Sequence, residues 1–223
     1  MREDSYIIAP FQYITVDHPE MTHAQQAARA YSVGCQWVQI RIKDKPLNEI
    51  EREVMQALES AHAYKSVLIV DDHVSLVRNC KATGIHLGKQ DMSPIEARRI
   101  LGNNYIIGAT ANTFADILQI STMPVDYIGL GPFRFTRTKQ KLSPVIGIEG
   151  YRSLLKQMSE ARLALPVIAI GGITYDDLPA LIDTGVYGVA VSGAVAFSHS
   201  FEKSIEQFVA FFAKRRAVML DRI

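Results

Sequence analysis

Pro166-Val167-Ile168-Ala169-Ile170-Gly171-Gly172 and, further on, Gly188-Val189-Ala190-Val191-Ser192-Gly193-Ala194 are two apolar runs that end in glycine-containing segments. Neither alternates apolar with polar residues, so neither suits a sheet with one face in water. Both read as parallel strands buried on two faces. Between them, Thr174 with Asp177 opens a helical segment that stops at Gly185. Working outward, similar runs occur at Phe11–Val16, Trp37–Ile42, Ser66–Asp72, Gly84–Leu87, Tyr105–Thr110 and Tyr127–Pro132. Segments with helical periodicity separate them. Strand and helix therefore alternate from end to end, and eight uninterrupted repeats predict a single-domain α/β fold, a (β/α)8 TIM barrel over residues 1–223.

Several helix boundaries are legible. Ser93-Pro94-Ile95-Glu96 combines an N-cap, an N1 proline and a capping-box glutamate, and Ala97–Leu101 continues that helix. Thr22 can cap a helix running to Gly34, and Ser200 one whose Phe201, Ile205, Phe208 and Phe212 share a face that should close the barrel. The structural rival, a doubly wound dinucleotide-binding sheet, needs a Gly-x-Gly-x-x-Gly turn after an early strand. The nearest match, Gly129-Leu130-Gly131-Pro132, comes late and runs into proline and a basic loop.

Composition narrows the function classes. With 48% apolar and 21% charged residues in 223, the chain can bury a large core and carries no signature of disorder. Its 24 basic and 23 acidic side chains nearly cancel, which argues against nucleic acid as a partner and makes any anion selectivity local. Cys35 and Cys80 stand far apart without metal or redox spacing, so reduced thiols packed in the core of a cytoplasmic protein are expected. The N-terminus lacks a secretory h-region, and the weakly polar stretches around Leu163–Ile173 and Gly185–Phe197 are too short to span a membrane.

Some polar residues do not belong in a core. In Val38-Gln39-Ile40-Arg41-Ile42-Lys43, period-two geometry puts Gln39, Arg41 and Lys43 on one face. If that face points into a barrel, two cations and an amide need a partner that offsets their desolvation, and a bound anion would supply it. Alternatively, Lys43 extends out of the strand end and Arg41 pairs with an interior carboxylate. Strand three ends in Asp71-Asp72, and strand four leads through His86-Leu87-Gly88 into a loop that carries Asp91. Carboxylates on two neighbouring loops suit Mg²⁺, which keeps several waters and also binds substrate phosphates. Asp72 as a helix N-cap and Asp91 as a turn residue are the plainer readings. His86 lies on a strand, where its plain alternative is a core imidazole satisfied by a backbone carbonyl. With no second histidine at ligand spacing, zinc is not expected.

The loop after strand six, Phe133-Arg134-Phe135-Thr136-Arg137-Thr138-Lys139, concentrates hydroxyls and cations that could fold over a phosphate or simply face water. Gly171-Gly172 and Ser192-Gly193 end strands seven and eight, where barrels frequently place a phosphate against exposed backbone N–H groups. Tight strand-to-helix turns would also explain these glycines.

Taken in order, these segments resemble the thiamine-phosphate synthase family. Its Gln-x-Arg-x-Lys strand corresponds to Gln39, Arg41 and Lys43, its His-Leu-Gly-Gln-x-Asp element to His86–Asp91, and its threonine-lysine loop to Thr136–Lys139. The resemblance implies a transferase that moves a hydroxymethylpyrimidine group from its diphosphate to the ring nitrogen of a thiazole phosphate. Asp72 and Asp91 would hold Mg²⁺, while Arg41, Lys43, Thr110 and Lys139 would receive the diphosphate. Gln39 and His86 would help position the pyrimidine. Thr136, Thr138, Gly172 and Ser192 would hold the thiazole phosphate, with Gly171 and Gly193 shaping its backbone cradle.

Departures from the family pattern are Asp71 where asparagine is common, Thr110 where serine is common, and Arg137 where proline often stands between the threonines. An ionised Asp71 would repel diphosphate unless metal or lysine screens it. A thiazole tautomerase-like isomerase on the same barrel, or a non-catalytic thiamine-phosphate-binding regulator, would share the thiazole-phosphate pocket. Barrel proteins often self-associate, so a homo-oligomer is possible, although no segment marks an interface.

Overall fold

The apolar runs form eight parallel strands: β1 Phe11–Ile14, β2 Trp37–Ile40, β3 Val67–Asp71, β4 Gly84–Leu87, β5 Ile106–Ala111, β6 Tyr127–Leu130, β7 Val167–Ile170 and β8 Gly188–Val191. Each pairs with the next, and β8 returns to β1 with Phe11 opposite Val189, closing the expected barrel. The computed structural model describes residues 8–135 and 144–220. Helices α1 His23–Ser32, α2 Leu47–Ala63, α3 Val74–Cys80, α4 Pro94–Leu101, α5 Phe114–Ser121, α6 Gly147–Glu160 and α7 Leu178–Asp183 follow the first seven strands. After β8 come the short α8 Gly193–Ala196 and the long α9 Phe201–Leu220.

The Thr22, Ser93 and Thr174 capping signals act where the sequence places them, although Ser93 caps its helix without the reciprocal Glu96 bond. Thr22 and Gln25 form a reciprocal capping box before α1. Ser93 accepts from the Glu96 amide at 3.2 Å, with Pro94 in the first turn of α4. Thr174 and Asp177 cap a short 3₁₀ turn, Tyr175–Asp177, that leads into α7. Phe201, Ile205, Phe208 and Phe212 are all buried, and Phe208 stacks on Phe11 of β1 with ring centroids 4.9 Å apart. The last helix thus covers the seam where the first strand meets the last.

The predicted strands run too far at several C-terminal ends. β2 stops at Ile40, so Arg41 and Lys43 lie beyond it, and Asp44 turns the chain at φ 56°. β8 stops at Val191 because the Ser192 carbonyl accepts from the Val195 and Ala196 amides, starting α8 where strand was expected. Cys35 is buried as expected, but Cys80 is only partly so.

Apolar side chains divide into a large layer between strands and helices and a smaller cluster inside the barrel. The inner cluster contains Ile14, Trp37, Val67, Ile69, Ile106, Tyr127, Ile168 and Ala190, with Trp37 edge-on to Tyr127 at 4.9 Å. Such bulk fits because neighbouring inward positions are glycine. A Cβ on Gly108 would stand 2.1 Å from Cζ of Tyr127, and one on Gly129 2.8 Å from Cε1 of His86. Gly108→Ala should therefore destabilise the fold by about 1–3 kcal/mol through overpacking. Denaturant midpoints would measure it. An unchanged midpoint would mean that β5 and β6 part easily at this level.

Candidate active site

Continuing the inward face of each strand to its C-terminal end leads from the apolar cluster to a polar rim. On β2, Gln39 follows Trp37 at period two, and on β3 Asp71 follows Ile69. Gln39 Nε2 donates to Asp71 Oδ1 at 2.8 Å. Beyond the end of β2, Arg41 Nε lies 3.5 Å and Lys43 Nζ 3.1 Å from Asp71 Oδ2. Arg41 thus pairs with an interior carboxylate, the alternative considered from sequence. Lys43 turns back over the rim rather than away from it, also contacting Asp72.

Burial raises the Asp71 carboxyl above its ordinary value and the Asp72 charge adds to this, against the pull of Lys43 and Arg41. Burial alone would lower the Lys43 ammonium, but the two carboxylates hold it above its ordinary value. Asp71 therefore meets the condition set by its departure from asparagine, since lysine and arginine screen it.

Asp72 does not cap a helix: His73 occupies that position ahead of α3, and Asp72 itself is left-handed at φ 63°. Its carboxyl group hydrogen-bonds to that of Asp91. Asp91 is also a turn residue, since its Oδ2 accepts from the Gly88 amide at 2.6 Å. Burial and the bond to Asp72 push Asp91 upward. Burial opposes the opposite shift at Asp72, but bonds from Lys43 and from Asp91 outweigh it. Two carboxyl groups held this close together are a suitable donor set for a hard divalent ion. Among the described residues no group of three or more His, Cys, Asp and Glu converges, so an all-protein metal cage is not what the site offers.

His86 leaves β4 toward the barrel axis, with Nδ1 3.0 Å from the Tyr127 hydroxyl and Nε2 2.9 Å from Thr110 Oγ1. Both ring nitrogens meet side-chain hydroxyls, unlike the core histidine satisfied by a carbonyl. Tyr127 escaped the sequence reading. Its signal was a hydroxyl-bearing aromatic two residues before Gly129, on the same inward face of an otherwise apolar strand.

Across the barrel, Gly171 and Gly172 follow β7 with φ 101° and 70°, a region open mainly to glycine. Side chains there would also collide, since a Cβ on Gly171 would come 2.8 Å from Pro132 and one on Gly172 2.4 Å from Arg134 Cγ. Tight packing therefore contributes to both glycines. Arg134 is engaged with Asp177 through two bonds of 2.8 and 2.6 Å and with the Gly172 carbonyl at 3.0 Å, so it braces the loop base. Ser192 and Gly193 stand at the start of α8 after β8. Thr136, Arg137, Thr138 and Lys139 lie outside the described residues.

The profile of the family described as thiamine monophosphate synthase matches residues 7–195, from before β1 to within α8. The chain belongs to the thiamine monophosphate synthase family. Among curated relatives, a thiamine-phosphate synthase from Phocaeicola vulgatus is 48% identical, the match covering 82% of this chain and 88% of that one. One from Flavobacterium psychrophilum is 41% identical, covering 85% and 92%. Among solved structures, a thiamine phosphate pyrophosphorylase from Pyrococcus furiosus superposes with a TM-score of 0.80 at 29% identity, covering 92% of this chain and 95% of that one. In this member of the thiamine monophosphate synthase family, Gln39, Arg41, Lys43, Asp71, Asp72 and Asp91 converge on one side of the rim. His86 and Thr110 adjoin each other, and the paired glycines and Ser192 stand at the ends of β7 and β8.

Proposed function

We propose that this chain is a thiamine-phosphate synthase, a transferase that joins hydroxymethylpyrimidine diphosphate to thiazole phosphate and releases diphosphate. The observation that carries this reading is the cluster at the ends of β2, β3 and β4, where Lys43 bridges Asp71 and Asp72 and Asp72 meets Asp91. Cations and paired carboxyls suit a metal–diphosphate group. A barrel that bound only a thiazole phosphate would have no use for them.

Asp72 and Asp91 would hold Mg²⁺, which when bound supplies a Lewis acid to the diphosphate oxygens. Arg41 and Lys43, joined by Lys139, meet the negative charge that grows on diphosphate as its bond to the pyrimidine methylene carbon breaks. Thr110 adds a hydroxyl, and its bond to His86 links the diphosphate end to the pyrimidine end. Gln39 and His86 orient the ring. The electron-rich aminopyrimidine shares the positive charge left on the methylene carbon, and the thiazole nitrogen attacks there. No side-chain nucleophile is required, so orienting the two substrates is the main task. Gly171, Gly172, Ser192 and Gly193, with Thr136 and Thr138, hold the thiazole phosphate.

The proposal includes a cytoplasmic enzyme acting on small molecules, with self-association possible. Among the described residues no helix is long and apolar enough to cross a membrane. The decisive assay incubates purified chain with both substrates and Mg²⁺ and measures thiamine phosphate and diphosphate together. Equal amounts of the two are expected. Thiazole isomerisation without either product would point to a tautomerase, and binding without turnover to a regulator.

Ser192→Ala should chiefly weaken thiazole-phosphate binding, by roughly the fewfold to tenfold change that one lost hydrogen bond produces. Calorimetry with each substrate separately checks this. Selective loss of the pyrimidine diphosphate instead would reverse the assignment of the two phosphate sites.

A further inference from the structure

The β1–β2 ladder ends in an unusual way. Thr15, one residue beyond β1, donates its amide to the Gln39 carbonyl at 3.0 Å. Its side chain then takes over, since Oγ1 accepts from the Arg41 amide at 3.1 Å. The same oxygen lies 2.7 Å from Nδ1 of His23, the first residue of α1, whose Nε2 lies 3.2 Å from Asp17 Oδ1. Thr15 and His23 are almost wholly buried, at 1% and 7% exposure. Arg41 is the first residue past β2, and its guanidinium reaches Asp71.

The donor and acceptor roles follow from the ends of this chain. A carboxylate only accepts and an amide only donates. Asp17 therefore accepts from Nε2 and the Thr15 hydroxyl oxygen accepts from the Arg41 amide; when the ring is neutral, Nδ1 accepts from the Thr15 hydroxyl. Burial lowers the His23 value and the Arg41 charge adds to that, while the Asp17 bond and the charges of Asp17 and Glu53 act the other way; the net shift is downward. Those three side chains are the charged groups that act on the ring.

We infer that Thr15 and His23 are positioning residues for Arg41, fixing its backbone just past the end of β2 so that its guanidinium is aimed at the diphosphate. This rests on the proposed assignment of Arg41 to diphosphate. A strand end that needed only a satisfied amide could use water. Here a buried hydroxyl, oriented by a buried imidazole, restrains one amide next to the residue that must meet a multiply charged group.

The test uses the full chain, with calorimetric titration of inorganic diphosphate in Mg²⁺ and, separately, of thiazole phosphate. Thr15→Val and His23→Leu are each expected to weaken diphosphate about tenfold, the equivalent of one hydrogen bond, and to leave thiazole phosphate within about twofold. Thr15→Ser, which keeps the hydroxyl, should restore the parental value. Equal loss of both ligands, parental diphosphate affinity in Thr15→Val, or failure of serine to rescue would each overturn the inference. If the variants fold poorly, amide exchange in the parental protein decides: slow exchange at Arg41 is expected, and exchange as fast as in an exposed loop overturns it. Arg41→Ala separates this inference from the reading beneath it. Unchanged diphosphate affinity in that variant removes both, whereas loss there with parental affinity in Thr15→Val removes the positioning role alone.

Discussion

Lys43→Ala is expected to slow thiamine-phosphate formation by about 10²- to 10³-fold, the scale seen when one preorganised group facing developing charge is removed. Lys43 bridges Asp71 and Asp72, and the two carboxylates hold its ammonium above its ordinary value, so it stays charged at neutral pH. Truncation deprives the leaving diphosphate of that charge and also leaves Asp71 less screened. Thiazole-phosphate affinity should change little, because the glycines after β7 and β8 are untouched. Single-turnover rates on protein with parental circular dichroism provide the measurement. A parental rate would show that Lys43 has no part in diphosphate departure and would remove the central mechanistic assignment.

Asp91→Asn should raise the Mg²⁺ concentration needed for half-maximal turnover by at least about tenfold, since even outer-shell changes around metal sites reach 10–100-fold. The substitution deletes an anionic oxygen but preserves size, and the amide can still hydrogen-bond to Asp72. Folding and thiazole-phosphate binding should therefore survive. A metal-activation curve that overlays the parental one, in a folded variant, would rule Asp91 out as a ligand.

The barrel was legible because buried parallel strands are written as continuous apolar runs, and Pro166–Gly172 and Gly188–Ala194 set the pattern that the other runs repeat. Caps such as Thr22 and the pair Thr174 with Asp177 were legible for a related reason: side chain and backbone lie three residues apart, so the signal is local. Strand ends were less so. Period-two counting from Gln39 to Lys43 assumes an extended chain, whereas pairing ends at Ile40, and the Arg41 amide then donates to Thr15, one residue past the neighbouring strand. The same limit hid Tyr127, whose role depends on Gly108 and Gly129 leaving room for two rings. Asp71 looked like an electrostatic liability when considered alone. Its Gln39, Arg41 and Lys43 partners come from another strand and the segment after it.

The packed rings inside the barrel also bear on traffic through the enzyme. Trp37 and Tyr127, buried beneath His86, block the axis, so a ligand that enters at the strand ends has no passage out through the opposite end. Two substrates must come in, and two products must leave, through one doorway.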